Sequence, residues 1–133
     1  MPEARLVVDA SVLISWLMPD EVSSDLDAMA QTFGRFSAPW LLWAETRNML
    51  VLAERKGRVP PGLIDSMLVR VERLRIQLDT EPDQGSVLSI ARQHRLTVYD
   101  ALYLDLAVRT SATLATLDRQ LAAAAMARGV PVV

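Results

Sequence analysis

Short apolar runs alternate along this chain with longer segments whose apolar residues recur at helical spacing. The short runs are typical of buried strands, and the longer segments predict helices. The predicted strands cover residues 6–9, 36–38, 76–79, 113–116 and 130–133. The predicted helices cover residues 12–18, 21–33, 39–56, 62–73, 82–95 and 119–128, with a further helix that opens at Thr97. This alternation predicts a parallel sheet covered by helices on both faces. Such sheets bind ligands beyond the carboxyl ends of their strands.

Several helix ends are marked by specific residues. Pro39 suits the first position of the 39–56 helix, because a backbone N–H at that position would have no hydrogen-bond partner within the helix and proline lacks this N–H. Gly57 is expected to end the same helix. Thr97 and Asp100 have the spacing of a capping box, which predicts that a helix begins between them.

Length and composition narrow the class of protein. The chain has 133 residues, of which 51% are hydrophobic and 23% charged, and this predicts one globular domain over residues 1–133. It has no cysteine, which excludes disulfides, thiolate metal sites and cysteine nucleophiles. We find neither a signal-peptide pattern nor an apolar run of roughly 18–20 residues. The expectation is a soluble cytoplasmic protein without a membrane partner.

Two aspartates stand where strands end. Asp9 closes the first predicted strand, and Asp118 follows the 113–116 strand. Right-handed crossovers bring the ends of parallel strands to one edge of the sheet, so both carboxylates are expected in the same site. The alternative is that each aspartate only caps the helix that follows it.

Glu45 is the most informative acidic residue. At about 100° per residue, Leu42, Glu45, Met49 and Leu52 fall on one face of the 39–56 helix, which predicts a stripe facing the core. A carboxylate in such a stripe is costly unless it has a partner. Glu45 is therefore either a site residue or one half of a buried salt bridge with an arginine.

The helix that opens at Thr97 carries two more acids. Asp100 can be explained locally as the acidic member of the capping box. Asp105 lies about 140° further round the helix and pairs with Arg109 at i,i+4 spacing, so we expect it at the solvent-exposed surface.

If Asp9, Glu45, Asp100 and Asp118 converge, their mutual repulsion has to be relieved by protons or cations. An all-oxygen ligand set favours Mg²⁺ or Mn²⁺ over zinc or copper. The four acids are thus candidate metal ligands and candidate catalytic residues.

Three polar residues are candidates for a supporting role. Ser11 and Thr116 stand two residues from Asp9 and Asp118, where a hydroxyl could orient a carboxylate. Ser11 could equally cap the first helix. Asn48 follows Glu45 by three residues and either supports the site or is a polar residue at the edge of the stripe.

Other chemistries fit the sequence less well. His94 is the only histidine and is expected to be exposed near a helix end, which disfavours a Ser-His-Asp triad. The five glycines are scattered, so there is no glycine-rich phosphate loop. A receiver-type phosphoacceptor domain needs adjacent acids after the first strand and a late lysine, whereas Lys56 is the last lysine. An Asp-x-Asp phosphatase is disfavoured because Ser11 occupies the second position.

Four segments in order resemble the motifs of one known family. They are residues 7–12, 39–48, 96–103 and 114–118. Together they resemble the PIN domain, and the length fits its VapC toxin subfamily. The resemblance implies a three-layer α/β/α sandwich with a short parallel sheet of four to five strands. It also implies a Mg²⁺- or Mn²⁺-dependent endoribonuclease that hydrolyses RNA with a metal-activated water. Its acidic quartet corresponds to Asp9, Glu45, Asp100 and Asp118. A non-catalytic PIN-like binding module remains the main alternative.

Excess apolar surface predicts protein partners. Trp40, Trp43, Leu50 and Val51 lie opposite the predicted core stripe, with Arg47 among them. The 12–18 helix is apolar nearly all round. An element that is apolar on two faces is either sandwiched in a core or bound by a partner. The family resemblance implies who these partners are: a second copy of the chain and a cognate antitoxin.

Overall fold

The computed structural model describes residues 3–21 and 25–133. The strands are β1 (Arg5–Val8), β2 (Arg35–Pro39), β3 (Gln77–Asp79) and β4 (Thr113–Ala115). The helices are α1 (Ala10–Leu17), α2 (Leu26–Thr32), α3 (Leu42–Arg55), α4 (Leu63–Arg73), α5 (Gln84–His94), α6 (Val98–Thr110) and α7 (Arg119–Ala127). The predicted 21–33 helix is represented by α2, and its residues 22–24 lie outside the described residues.

The four strands form one parallel sheet in the order β3-β2-β1-β4. From β1 to β3 the chain moves outward in one direction, and it then returns across the sheet to β4. Because crossovers of this kind are right-handed, the two directions place their helices on opposite faces. Helices α5 and α6 therefore cover the face opposite α1 and α3. The result is the predicted three-layer α/β/α sandwich.

The centre of the core is the contact between β1 and helix α6. Leu6, Val7 and Val8 of β1 are fully buried, as is typical of a central parallel strand covered on both faces. Helix α6 is buried along residues 101–107, which include Leu104 and Asp105. It packs against the sheet and against α5 and α7, so hardly any of its middle turns remain exposed.

Most predicted boundaries lie within a few residues of the observed ones, and two segments differ in the type of structure they form. Pro39 ends β2 instead of opening a helix: it pairs with Asp79 of β3, and α3 begins three residues later, at Leu42. The sheet ladder is what holds Pro39 in the extended conformation. The predicted 130–133 strand is reduced to a single bridge between Leu114 and Val132. Pro131, which lacks an N–H, cannot extend the ladder as a donor. Gly57 ends α3 as predicted, with a φ of 76°.

The core stripe of α3 is rotated from its predicted position. The buried residues are Leu42, Thr46, Leu50 and Ala53, whereas Met49 and Leu52 are exposed. At 100° per residue this stripe is turned by about 80° from the predicted one. The prediction that Leu50 belongs to a free surface was therefore wrong, and Glu45 lies at the edge of the core and not in its middle. Tertiary packing of α3 against α1 sets the rotation, and helical periodicity alone does not fix it.

Helix α1 is buried by this chain itself. Five apolar residues and Ser15 are buried along it, and Trp16 is half-buried against the guanidinium of Arg70, 4.4 Å from the ring centroid. Of the two explanations for its apolar character, burial within the core is the one that the structure supports. No helix within the described ranges is both long and apolar enough to cross a membrane.

Asp105 is fully buried, so the expectation that it lies at the surface was wrong. It does pair with Arg109, whose Nε donates to Asp105 Oδ2 at 2.8 Å. Arg109 also donates from Nη2 to Asp79 at 2.7 Å, and the Asp83 N–H lies 3.4 Å from Asp105 Oδ2. The helical face that carries Asp105 is covered because α5 packs closely beside α6. The cluster therefore ties α6 to the end of β3 and the start of α5.

Candidate active site

Two of the four predicted acids stand at neighbouring strand ends. Asp9 directly follows β1, and its N–H donates to Ala115 O at 3.1 Å, which continues the ladder between β1 and β4. Asp118 follows β4 by three residues. Each aspartate also caps a helix: Asp9 accepts from Val12 N–H and Asp118 accepts from Leu121 N–H. The capping role and the site role, posed as alternatives from the sequence, are thus compatible at both positions.

Both oxygens of the Asp9 carboxylate are held by side-chain hydroxyls. Ser11 Oγ donates to Oδ1 at 2.6 Å, and Thr116 Oγ1 donates to Oδ2 at 2.5 Å. Each hydroxyl also accepts from the backbone after β4: Leu117 N–H donates to Ser11 Oγ and Asp118 N–H to Thr116 Oγ1, both at 3.0 Å. Ser11 does not cap α1, because Asp9 does. Ser11 and Thr116 therefore orient Asp9 and fix the loop that presents Asp118.

The other two acids come from the first turns of α3 and α6. Asp100 follows Thr97, whose Oγ1 accepts from the Asp100 N–H at 3.1 Å, as the capping box requires. Glu45 is half-buried, and its Oε1 accepts a 2.7 Å hydrogen bond from the hydroxyl of Tyr103. Glu45 forms no salt bridge with an arginine among the described residues, so that alternative is not what the structure shows.

All four acids line one cleft of about 200 Å³ at the carboxyl edge of the sheet. The lining residues are Asp9, Ala10, Ser11, Glu45, Met49, Asp100, Tyr103 and Asp118. Thr116 is not among these lining residues; it is buried and contacts Asp9 through the hydrogen bond described above. Asn48 is exposed and is not part of the lining, so the structure does not bring it to the other candidates.

Sequence reasoning did not single out three residues of this cleft, Ala10, Met49 and Tyr103. Tyr103 lies one turn after Asp100 on α6, a spacing that could have placed both on one face. Met49 lies one turn after Glu45 and was assigned to the core, yet it lines the cleft because α3 is rotated.

Burial and mutual repulsion raise the pKa of three of the acids. For Asp9, burial raises the pKa most, the hydrogen bonds from Ser11, Thr116 and Val12 oppose the rise, and Asp118 adds repulsion. Burial is also the main cause at Glu45, where Asp100 and Asp9 add to it while the bond from Tyr103 opposes it.

The Asp100 carboxyl follows the same rule. Burial raises its pKa first, and repulsion from Asp118 and Asp9 raises it further, while Thr97 opposes the rise. The phenol of Tyr103 responds in the same direction: burial and the neighbouring Glu45 raise its pKa, so it stays a protonated donor. The cleft therefore favours protonation of its acids or the binding of a cation.

The donor set fits a hard divalent cation, since the cleft is lined by four carboxylates together with the hydroxyls of Ser11 and Tyr103. Asp9, Glu45, Asp100 and Asp118 are the residues from which its carboxylate ligands would come. Within residues 3–21 and 25–133, no three acidic or histidine side chains stand close enough to enclose one ion. Magnesium commonly keeps several waters and binds through one or two carboxylates, an arrangement that an open cleft of this kind can accommodate.

Comparison with known proteins identifies similar chains. Residues 6–126 match the PIN domain family. Ribonuclease VapC3 of Pyrobaculum aerophilum is 30% identical over 122 residues, which cover 89% of this chain and 92% of that protein. The crystal structure of PAE2754 from Pyrobaculum aerophilum superimposes with a TM-score of 0.76 at 27% identity, covering 98% of this chain and 91% of the other. The crystal structure of FitAcB from Neisseria gonorrhoeae shares the fold, with a TM-score of 0.63 at 21% identity and coverages of 96% and 95%.

Proposed function

Since this chain belongs to the PIN domain family, we propose that it is a metal-dependent endoribonuclease of the VapC toxin type. The observation that carries the proposal is the cleft in which Asp9, Glu45, Asp100 and Asp118 meet. The similarity to a ribonuclease over most of the chain supports RNA as the substrate. We place its action in the cytoplasm, where the cell's RNA is found.

The reaction proposed is hydrolysis of an RNA phosphodiester by water. A bound Mg²⁺ or Mn²⁺ would supply an activated water and offset the charge of the phosphate. The chain's own contribution is positioning. Ser11 and Thr116 fix both oxygens of Asp9, so that carboxylate cannot rotate freely. Glu45 and Asp100 face the same cleft from two different helices. Because no histidine, cysteine or lysine is among the described residues that line the cleft, a protein nucleophile of those types is not expected there.

The alternative is a non-catalytic PIN-like module that binds without cleaving. Such a module would have no need for four carboxylates in one cleft, where their repulsion costs stability. Burial first, and repulsion between the carboxylates after it, raises the pKa of Asp9, Glu45 and Asp100. We therefore favour the enzyme over the binding module.

The proposal includes protein partners, namely a cognate antitoxin and a second copy of the chain. Two tryptophans near the start of α3 remain exposed: Trp40 by 47% and Trp43 by 56%. The guanidinium of Arg47 stacks on the Trp43 ring, 3.9 Å from its centroid. Trp43 borders a mostly apolar groove of about 320 Å³ between α3, α4 and β3. Exposed apolar surface that includes tryptophan and arginine is typical of interfaces.

The experiment that tests the enzyme proposal is cleavage of a pool of end-labelled single-stranded RNA by the purified protein. We expect cuts with Mg²⁺ or Mn²⁺, none with EDTA, and products that carry 5′-phosphate and 3′-hydroxyl ends. Asp9→Asn should remove the activity, while Asp65→Asn, an exposed acid on α4, serves as the matched control and should retain it. Products with 2′,3′-cyclic phosphates in metal-free buffer would contradict the proposal.

A further inference from the structure

Tyr103 connects the two helices that carry Glu45 and Asp100. It is 2% exposed and lies one turn after Asp100 on α6. Its hydroxyl donates to Glu45 Oε1 at 2.7 Å across the cleft. The other carboxylate oxygen, Oε2, makes no hydrogen bond with a described residue.

The ring and the hydroxyl of Tyr103 have separate tasks. The ring fills space in the core beside the fully buried Leu104, and phenylalanine would fill that space equally well. The hydroxyl adds nothing to apolar packing, and placing it in a core costs free energy unless it finds a partner. Glu45 is that partner, and it would otherwise be free to adopt several rotamers in an open cleft.

We infer that Tyr103 is a positioning residue whose hydroxyl holds one oxygen of Glu45, so that the other oxygen is kept for a divalent cation in the cleft. The inference rests on the proposed function, because it gives Glu45 the role of a metal ligand. Hydrogen-bond partners of metal ligands commonly affect metal affinity through the orientation of the ligand. Asp9 receives such support from Ser11 and Thr116, and Tyr103 provides it for Glu45.

The test is Tyr103→Phe, which removes only the hydroxyl. Tyr99→Phe is the matched control, since Tyr99 lies on the same helix, next to Asp100, and is 63% exposed. We expect the affinity for Mn²⁺, measured by calorimetry without RNA, to fall about 10-fold or more in Tyr103→Phe. The control should stay within about 2-fold. At saturating Mn²⁺, KM for RNA should be unchanged and kcat reduced. In a Glu45→Gln background the same substitution should have little further effect.

A second measurement needs no change at position 103. The chain has two tyrosines, so in Tyr99→Phe the only tyrosine signal belongs to Tyr103. In protein labelled at the tyrosine Cζ carbon, its NMR signal should move on addition of Mg²⁺ and on introducing Glu45→Gln.

The outcomes separate the two proposals. Wild-type protein that neither binds Mn²⁺ nor cleaves RNA would refute the proposed function, and this inference with it. Wild-type activity combined with unchanged Mn²⁺ affinity in folded Tyr103→Phe would overturn this inference alone. If Tyr103→Phe does not fold, a Tyr103 signal that is insensitive to Mg²⁺ would overturn it as well.

Discussion

Replacing Asp105 by asparagine is expected to destabilise the fold while sparing the cleft. Asp105 has no exposed surface, and its Oδ2 faces two donors, Arg109 Nε at 2.8 Å and the Asp83 N–H at 3.4 Å. An asparagine must turn its oxygen toward these donors, which places its amide NH₂ where Oδ1 lies now. Oδ1 has no hydrogen-bond partner among residues 3–21 and 25–133, so the new NH₂ would be a buried donor without an acceptor. Arg109 would also lose one of the two carboxylates with which it forms a salt bridge.

The magnitude follows from these contacts. Breaking a buried ion pair on one side costs about 3–5 kcal/mol. Arg109 keeps Asp79, and its side chain is 28% exposed, both of which reduce the cost. We expect the free energy of unfolding to fall by about 2–3 kcal/mol, or Tm by about 8–12 °C in a domain of this size.

The assay is urea unfolding at pH 7 followed by circular dichroism. Asp65→Asn is the control, since it removes an exposed acid in the first turn of α4 and should cost about 0.3–1 kcal/mol. RNA cleavage per folded molecule should be retained, because Asp105 does not line the cleft. If Asp105→Asn were no less stable than the control, the argument from burial and unmatched donors would be wrong.

Three further predictions concern the cleft and the apolar surface. Asp100→Asn and Asp118→Asn should each abolish RNA cleavage with little loss of stability. Cleavage assays and unfolding measurements on the same variants check this, and if either variant still cleaved RNA, that residue would not be a catalytic residue. In metal-free protein, Asp9, Glu45 and Asp100 have raised pKa values in the folded state. At a pH below the ordinary carboxyl pKa their protonation therefore contributes to the stability of the fold, and this contribution is lost as the pH rises through the raised pKa values. Millimolar Mg²⁺ at pH 7–8 should therefore raise Tm in a thermal scan, and an absent shift would argue against a cation site. The variant with Trp40→Glu and Trp43→Glu should stay folded by circular dichroism but lose self-association or antitoxin binding; sedimentation and pull-down profiles like those of wild type would exclude this surface.

Much of the fold could be predicted from the sequence because its signals are local. Short apolar runs that end near Asp9 and Asp118 mark the buried strands β1 and β4, and Thr97 and Gly57 mark helix ends through contacts within a single turn. Once these elements alternate, right-handed crossovers bring the ends of β1 and β4 to one edge. This topology predicts that Asp9 and Asp118 meet, whereas adding Glu45 and Asp100 to them depended on the resemblance to the PIN domain. In the structure all four acids line one cleft.

The tertiary structure decided what depends on rotation and on neighbours. Helical periodicity relates the residues of α3 to one another, but only its packing against α1 determines that Leu50 is buried and Met49 faces the cleft. The burial of Asp105 and the bond between Tyr103 and Glu45 likewise join residues 22 or more positions apart. The sequence by itself determined which residues can form the strands, the helix ends and the acidic edge, because those choices are made within a few residues. Which face of each helix is buried was decided only when the layers packed together, because the side chains that cover that face come from residues distant in the chain.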